Sequence, residues 1–149
     1  MTVMASKCPD LEFHVVDINK ERIEAWNNED LSKLPIFEPG LKEIIASTRN
    51  KNLFFSNKIK NAIESSDIIF ISVNTPTKTR GLGAGKSSDL RWVEACAREV
   101  AKFSKGHTIV VEKSTLPVRT AEVIQSILNS SDSDSKSDKK TFSVLSLSL

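Results

Sequence analysis

Asp67-Ile68-Ile69-Phe70-Ile71-Ser72-Val73 is the strongest strand that the sequence predicts. It is apolar on both faces and rich in β-branched residues, a pattern typical of a central strand in a parallel sheet. Asn74-Thr75-Pro76-Thr77 follows it directly, so polar groups come where the strand ends. This stretch therefore predicts a parallel sheet with a polar segment at its carboxyl edge.

Strand-like and helix-like segments alternate along the rest of the chain. The predicted strands cover residues 13–17, 53–56, 108–112 and 141–145, and the predicted helices cover residues 20–27, 40–49, 58–64, 88–104 and 118–129. Such alternation favours an α/β fold with a parallel sheet. Ligands of these sheets bind beyond the carboxyl ends of the strands. The groups predicted at that edge are Asp17, Ser56, Asn74-Thr75-Pro76-Thr77 and Glu112-Lys113-Ser114-Thr115.

The composition fits one soluble globular domain. The 149 residues are 39% apolar and 27% charged, which is ordinary for a domain of this length. A net charge of +2 from 21 basic and 19 acidic residues is too small to indicate a nucleic-acid partner. No apolar run approaches the ~18 residues of a membrane span, and no secretory pattern opens the chain. The expected compartment is the cytoplasm, and Cys8 and Cys96 predict neither a disulfide framework nor a metal site.

The composition changes after the last predicted helix. Residues 129–140 are serine, aspartate, lysine and asparagine without an apolar side chain. Such a segment cannot bury enough surface to order itself, so we expect it to be flexible. Residues 141–149 would then form a last strand and a short tail.

Asp17 closes the predicted strand 13–17 and admits two interpretations. An acidic residue at the end of the second strand of a Rossmann unit accepts hydrogen bonds from the adenosine ribose and repels a 2′-phosphate, which favours NAD over NADP. Alternatively, the carboxylate is an ordinary cap or turn former. The residue that can cap the helix starting at Lys20 is Asn19. The pattern alone leaves both interpretations open.

The later polar segments are ambiguous in the same way. Asn74-Thr75-Pro76-Thr77 could line a dinucleotide, and Lys113-Ser114-Thr115 could hold a ribose or a reactive water, yet Asn, Thr and Pro are also frequent in ordinary turns. The stretch Gly81-Leu82-Gly83-Ala84-Gly85-Lys86-Ser87 is not an ATP-type phosphate loop, because Arg80 stands where that motif requires its first glycine. We interpret it as a surface excursion.

In combination, these segments resemble the UDP-glucose 6-dehydrogenase family, and the resemblance runs from about residue 1 to residue 146. The segments that carry it are Val16-Asp17-Ile18-Asn19 with Arg22 and Ala25-Trp26-Asn27, Leu34-Pro35-Ile36-Phe37-Glu38-Pro39-Gly40-Leu41, Lys51-Asn52-Leu53-Phe54-Phe55-Ser56, Phe70-Ile71-Ser72-Val73-Asn74-Thr75-Pro76-Thr77-Lys78-Thr79, Gly81-Leu82-Gly83-Ala84-Gly85-Lys86 with Asp89-Leu90, and Val111-Glu112-Lys113-Ser114-Thr115-Leu116-Pro117-Val118.

The resemblance implies an NAD-dependent dehydrogenase that oxidises UDP-glucose to UDP-glucuronate with two NAD+. It implies a partial NAD-binding Rossmann domain over residues 1–128 and contacts of Asp17 and Arg22 with the adenosine end of NAD. Thr115 would also position a catalytic water. The residues that would line the dinucleotide are Val73, Asn74, Thr75, Pro76, Thr77, Ser114, Thr115 and Leu116.

This sequence departs from the family pattern in two places. The family opens with a strand and Gly-x-Gly-x-x-Gly, whose helix N-terminus meets the pyrophosphate, and this sequence shows neither. We therefore expect an incomplete, Rossmann-like doubly wound parallel sheet that lacks its first strand and is marginally stable alone. The family's nucleophilic cysteine follows a region beyond Ser146, and neither Cys8 nor Cys96 matches it.

These departures imply that the chain alone is inactive. The alternative is a non-catalytic short isoform that binds or modulates dehydrogenase subunits. The partners implied are NAD and UDP-glucose in the complete family enzyme, with assembly as a homo-oligomer or with full-length subunits. Neither nucleic acid nor membrane is an expected partner.

Overall fold

A computed structural model describes residues 1–77, 89–113, 120–130 and 140–147 of the chain. The chain divides into two compact units, Met1–Ala62 and Ile63–Leu149. The predictions for Ser114, Thr115, Leu116 and the glycine-rich excursion concern residues outside the described ranges.

The first unit contains a two-stranded parallel sheet and four helical segments. Its elements are α1 (Thr2–Lys7), β1 (Phe13–Val16), α2 (Lys20–Asn27), a 3-10 turn (Leu31–Lys33), α3 (Leu41–Thr48) and β2 (Leu53–Ser56), and α4 (Ile59–Ser65) begins in this unit and ends in the second. Strands β1 and β2 run parallel, with Phe13 opposite Leu53 and Val16 opposite Ser56. The two strands therefore end at the same edge.

One apolar cluster holds the first unit together. Ile45 of α3 and Leu53 of β2 are fully buried, and the ring of Trp26 stacks on Phe55 with centroids 5.1 Å apart. Burial of each such side chain stabilises the unit by roughly 1.5–3 kcal/mol. The buried members are Ala5, Ile23, Leu41, Ile45, Leu53 and Phe55.

The end of α1 is tied to the start of β2 by one amide group. Nδ2 of Asn52 donates to the carbonyl oxygens of Ala5 at 2.9 Å, Cys8 at 3.3 Å and Leu11 at 3.2 Å. Carbonyls at a helix C-terminus have no partner inside the helix. Asn52 supplies donors for this end of α1, whose C-cap residue is Cys8.

The second unit contains a three-stranded parallel sheet. Its elements are β3 (Ile68–Ile71), α5 (Arg91–Phe103), β4 (His107–Glu112), α6 (Thr120–Ser130) and β5 (Thr141–Ser146). The strand order is β3-β4-β5, with Ile71 opposite Glu112 and Glu112 opposite Ser146. The buried faces of α5 and α6 carry Val93, Ala97, Val100, Ala101, Ile124 and Leu128.

The α/β class with parallel strands is confirmed, and the position of β3 differs from the expectation. Among the described strands, β3 pairs only with β4, and Ile68 is 52% exposed. Strand β4 lies in the middle, so it is β4 that has buried residues on both faces at its carboxyl end. Apolar composition thus marked β3 as a strand but did not fix its neighbours.

The polar segment predicted over 129–140 is described only at its two ends. Asn129 and Ser130 complete α6. At the other end, Nζ of Lys140 donates to the carbonyl oxygens of Ala101 and Lys102, at 3.0 and 2.9 Å, near the C-terminus of α5. The positive charge of a lysine at this place interacts favourably with the negative end of the α5 helix dipole.

Candidate functional site

Asp17 directly follows β1 and accepts two hydrogen bonds through different oxygens. Oδ1 accepts from the backbone N–H of Asn19 at 2.9 Å, and Oδ2 accepts from Nη1 of Arg22 at 3.0 Å. The backbone N–H of Asp17 donates to the carbonyl oxygen of Ser56 at 3.4 Å, which extends the strand pairing by one residue. The carboxylate therefore stands at the carboxyl edge of the first sheet, as predicted.

The start of α2 places Arg22 beside this carboxylate. Asn19 is the N-cap, and its Oδ1 accepts from the backbone N–H of Arg22 at 3.0 Å. This is the usual arrangement by which a capping side chain satisfies a free donor of the first turn. Because Asp17 and the N-cap Asn19 are only two residues apart, the local backbone geometry places the side chains of Asp17 and Arg22 next to each other.

The carboxylate of Asp17 is accessible and keeps acceptor sites that its protein partners do not occupy. Its side chain is 27% exposed and that of Arg22 is 60% exposed, so a ligand can reach both. Each carboxylate oxygen has two acceptor sites, and one protein donor occupies one site on each. The remaining sites suit two hydroxyl donors, which makes the cap interpretation and the ribose interpretation of Asp17 compatible.

The segment Val73–Thr77, called the 73–77 segment below, follows β3 at the carboxyl edge of the second sheet. Val73 and Thr75 are partly buried, and Asn74 and Thr77 are exposed. The carbonyl oxygen of Pro76 accepts a hydrogen bond from the backbone N–H of Asp89 at 2.7 Å. Polar side chains thus reach solvent while the backbone of the segment is anchored.

The carboxyl end of β4 lies next to the end of β3. Glu112 is 1% exposed, and its Oε2 accepts from the Ser146 hydroxyl of β5 at 2.8 Å. The backbone N–H of Lys113 donates to the carbonyl oxygen of Ile71 at 3.1 Å. These bonds join the ends of three strands just before position 114, where the predicted Ser114-Thr115-Leu116 loop begins outside the described residues.

The structure brings together only part of the predicted site. Asp17 and Arg22 contact each other in the first unit, and the 73–77 segment shares one sheet edge with Glu112 and Lys113 in the second. The expectation that all these groups line one dinucleotide stays a prediction.

The burial of two acidic residues was not predicted from the sequence. Asp89 is buried at the start of α5 and Glu112 is buried at the end of β4. An aspartate two residues before the observed start of α5 at Arg91 is a usable helix-start signal, although the predicted helix over 88–104 included Asp89. Nothing local signals the burial of Glu112, which depends on its cross-strand neighbours.

Metal-ligand clusters and membrane-spanning helices are both absent from the described part of the chain. In residues 1–77, 89–113, 120–130 and 140–147, no three His, Cys, Asp or Glu side chains are grouped so as to hold a metal ion. No helix among these residues is long and apolar enough to cross a membrane.

Residues 1–147 match the model of the UDP-glucose/GDP-mannose dehydrogenase family, NAD binding domain. The chain belongs to this family. The match covers nearly the whole chain, including both units and the edges that carry Asp17 and the 73–77 segment.

Relatives in plants and animals are similar over most of this family domain. The chain is 57% identical to UDP-glucose 6-dehydrogenase 1 of Arabidopsis thaliana and 55% identical to UDP-glucose 6-dehydrogenase of Bos taurus, in each case over 128 residues and 86% of this chain. The chain spans about a quarter of the length of these curated relatives, 26% and 25%.

Solved structures of nucleotide-sugar dehydrogenases share the fold. A GDP-mannose dehydrogenase from Pseudomonas aeruginosa, solved as a ternary complex, aligns with a TM-score of 0.74 at 27% identity, over 96% of this chain and 32% of that one. A UDP-D-ManNAc dehydrogenase from Pyrococcus horikoshii aligns with a TM-score of 0.74 at 22% identity, over 99% and 33%. The second likeness supports the fold alone.

Proposed function

We propose that this chain binds NAD as part of a dehydrogenase that oxidises UDP-glucose to UDP-glucuronate. The observation that carries the proposal is the Asp17 carboxylate, held by Arg22 and Asn19 at the end of β1 with acceptor sites left for ribose hydroxyls. Membership of the NAD-binding domain family and the UDP-glucose 6-dehydrogenase relatives support the choice of cofactor and substrate.

Each proposed residue has a role that its chemistry supports. Asp17 accepts hydrogen bonds from the adenosine ribose, and Arg22 orients the carboxylate. The 73–77 segment lines the dinucleotide, together with Ser114, Thr115 and Leu116. Thr115 also positions a water for the reaction. When bound, NAD supplies the nicotinamide ring that accepts hydride from the substrate.

A calorimetric titration of the 149-residue chain with NAD+ tests the binding proposal. We expect weak, saturable binding that Asp17→Ala weakens further. Asp30→Ala is the matched control, because Asp30 also caps a short helical turn and pairs with a nearby cation, Lys33. Absence of NAD+ binding by the folded chain, or equal loss in both variants, would contradict the proposal.

A second measurement separates binding from turnover. We propose that the chain alone does not oxidise UDP-glucose, so incubation with UDP-glucose and NAD+ should yield no NADH absorbance. NADH formation by the purified chain would show that the groups needed for both hydride transfers lie within these 149 residues.

A further inference from the structure

A short backbone hydrogen bond connects the 73–77 segment to a residue outside it. The backbone N–H of Asp89 donates to the carbonyl oxygen of Pro76 at 2.7 Å, at the short end of the range for N–H···O bonds. Asp89 lies two positions before α5 begins at Arg91. The bond therefore connects the segment that follows β3 to the start of a helix.

The side chain of Asp89 fixes the direction of that N–H. Oδ1 accepts from the backbone N–H of Arg91 at 3.1 Å and from its Nε at 2.9 Å, and Oδ2 accepts from Nη2 at 2.6 Å. Hydrogen bonds between charged partners are shorter and stronger than neutral ones. Residue 89 is thus held through both its side chain and its main chain.

The two members of this ion pair differ sharply in exposure. The Asp89 side chain is 9% exposed and that of Arg91 is 82% exposed. A carboxylate this buried is costly unless it is hydrogen-bonded, so its bonds to Arg91 fix where it can sit. The side-chain hydrogen bond to Asp89 raises the pKa of Arg91.

Helix α5 provides a rigid support for the pair. Val93, Ala97 and Val100 of α5 are buried, so the helix cannot move without disturbing the core of the second unit. Position 89 is therefore fixed relative to that core, and Pro76 is fixed relative to position 89.

We propose that Asp89 is a positioning residue for the dinucleotide, acting through Pro76 to set the backbone conformation that the 73–77 segment presents to the cofactor. This inference rests on the NAD binding proposed above. Asp89 itself touches no cofactor in this proposal. The Asp89 side chain fixes the position of its own backbone N–H, and this N–H donates to the carbonyl oxygen of Pro76. That hydrogen bond sets the backbone conformation of the 73–77 segment.

The test combines NAD+ titration with amide NMR on the labelled 149-residue chain. Asp89→Ala should raise the Kd for NAD+ about fivefold to tenfold, the scale of one lost hydrogen bond, and shift the amide signals of Asn74, Thr75 and Thr77. Asp89→Asn keeps an acceptor for the Arg91 amide and should recover most of both effects. Glu94→Ala is the matched control, because it removes another acidic partner of an arginine, Arg98, on the same helix.

The outcomes separate this proposal from the function on which it rests. Unchanged NAD+ affinity and unchanged amide signals in Asp89→Ala, with α5 intact by circular dichroism, would overturn the positioning role. If the wild-type chain fails to bind NAD+, the proposed function fails and with it the role toward the dinucleotide. The amide signals then test the contact alone: displaced signals in Asp89→Ala but not in Glu94→Ala support control of the 73–77 backbone by Asp89, and signals that stay in place overturn it. If Asp89→Ala unfolds, Asp89→Asn is tested by the same two measurements. Full loss of NAD+ affinity in Asp89→Asn would contradict the expected recovery of binding.

Discussion

Nη1 of Arg22 lies 3.0 Å from Oδ2 of Asp17, and the two residues are five positions apart across the start of α2. The pair is partly exposed, so solvent screens its attraction and it adds little to stability. The pair instead orients the Asp17 carboxylate, because the Arg22 guanidinium donates to one of its oxygens and the backbone N–H of Asn19 donates to the other. A ligand then meets a fixed acceptor with a cation beside it.

Cofactor choice should respond to the charge of Asp17. Asp17→Asn removes the negative charge that disfavours a 2′-phosphate and leaves the Arg22 cation available to it. We expect NAD+ affinity to fall and NADP+ affinity to rise, so that the ratio of the two Kd values changes about tenfold or more. Paired titrations of the variant with both cofactors measure this ratio. Asp17→Asn combined with Arg22→Ala should lose the gain for NADP+, and a ratio equal to that of the wild type in Asp17→Asn would contradict the assignment.

Stability of the first unit should depend on Leu53. This side chain is fully buried against Ile45, so Leu53→Ala should lower the free energy of unfolding by about 2–5 kcal/mol. Phe37 is 83% exposed, and Phe37→Ala is the control that should leave stability nearly unchanged. Urea unfolding followed by Trp26 fluorescence in a Trp92→Phe background reports on this unit. Equal losses in the two variants would show that the core is misassigned.

Replacement of Asn52 by alanine should destabilise the first unit less than replacement by aspartate. Asn52→Ala removes the donor to Ala5, Cys8 and Leu11, at a cost of about 1–3 kcal/mol. Asn52→Asp replaces that donor by a carboxylate facing carbonyl oxygens, so it should destabilise the unit further. Lowering the pH to protonate the aspartate should narrow the difference between the two variants. If Asn52→Asp proved as stable as the wild type, the amide would not have this role.

Cys96 should react slowly in the folded chain. Burial, with a smaller contribution from the charge of Glu99, raises the pKa of its thiol, and the thiolate is the reactive form. In a Cys8→Ser background, iodoacetamide should modify folded Cys96 more slowly than the urea-unfolded chain, with a rate profile displaced to higher pH. Mass spectrometry measures both rates. Glu99→Gln should shift the rate profile of Cys96 part of the way back toward lower pH.

The raised pKa of Cys96 should also make the stability of the chain depend on pH. Above the ordinary thiol pKa of about 8.5, the unfolded chain releases the Cys96 proton while the folded chain retains it. The free energy of unfolding should therefore fall as pH rises through this region, and Cys96→Ala should reduce that dependence. Urea midpoints of the two chains from neutral to alkaline pH provide the test, and parallel curves would contradict it.

Local features of the site followed from the sequence because they depend on near neighbours. The cap at Asn19 and the carboxylate at the end of β1 lie within a few residues of one another, and capping geometry acts over that range. The same holds for the helices and strands, whose predicted bounds differ from the observed ones by at most about three residues. Side-chain type and periodicity carry this information directly.

Sheet order and burial were decided by tertiary structure. The sequence of β3 predicts a central strand, yet among the described strands β4 takes the central place, because pairing depends on partners far away in the chain. The tie between Asp89 and Pro76 uses two backbone groups, and every residue except proline carries such a donor, so no residue type could signal it. Residue types and their spacing were sufficient to show which segments form strands and helices and which polar groups follow them. Which of those groups meet depends on contacts between distant residues, and these are set by the packing of the elements.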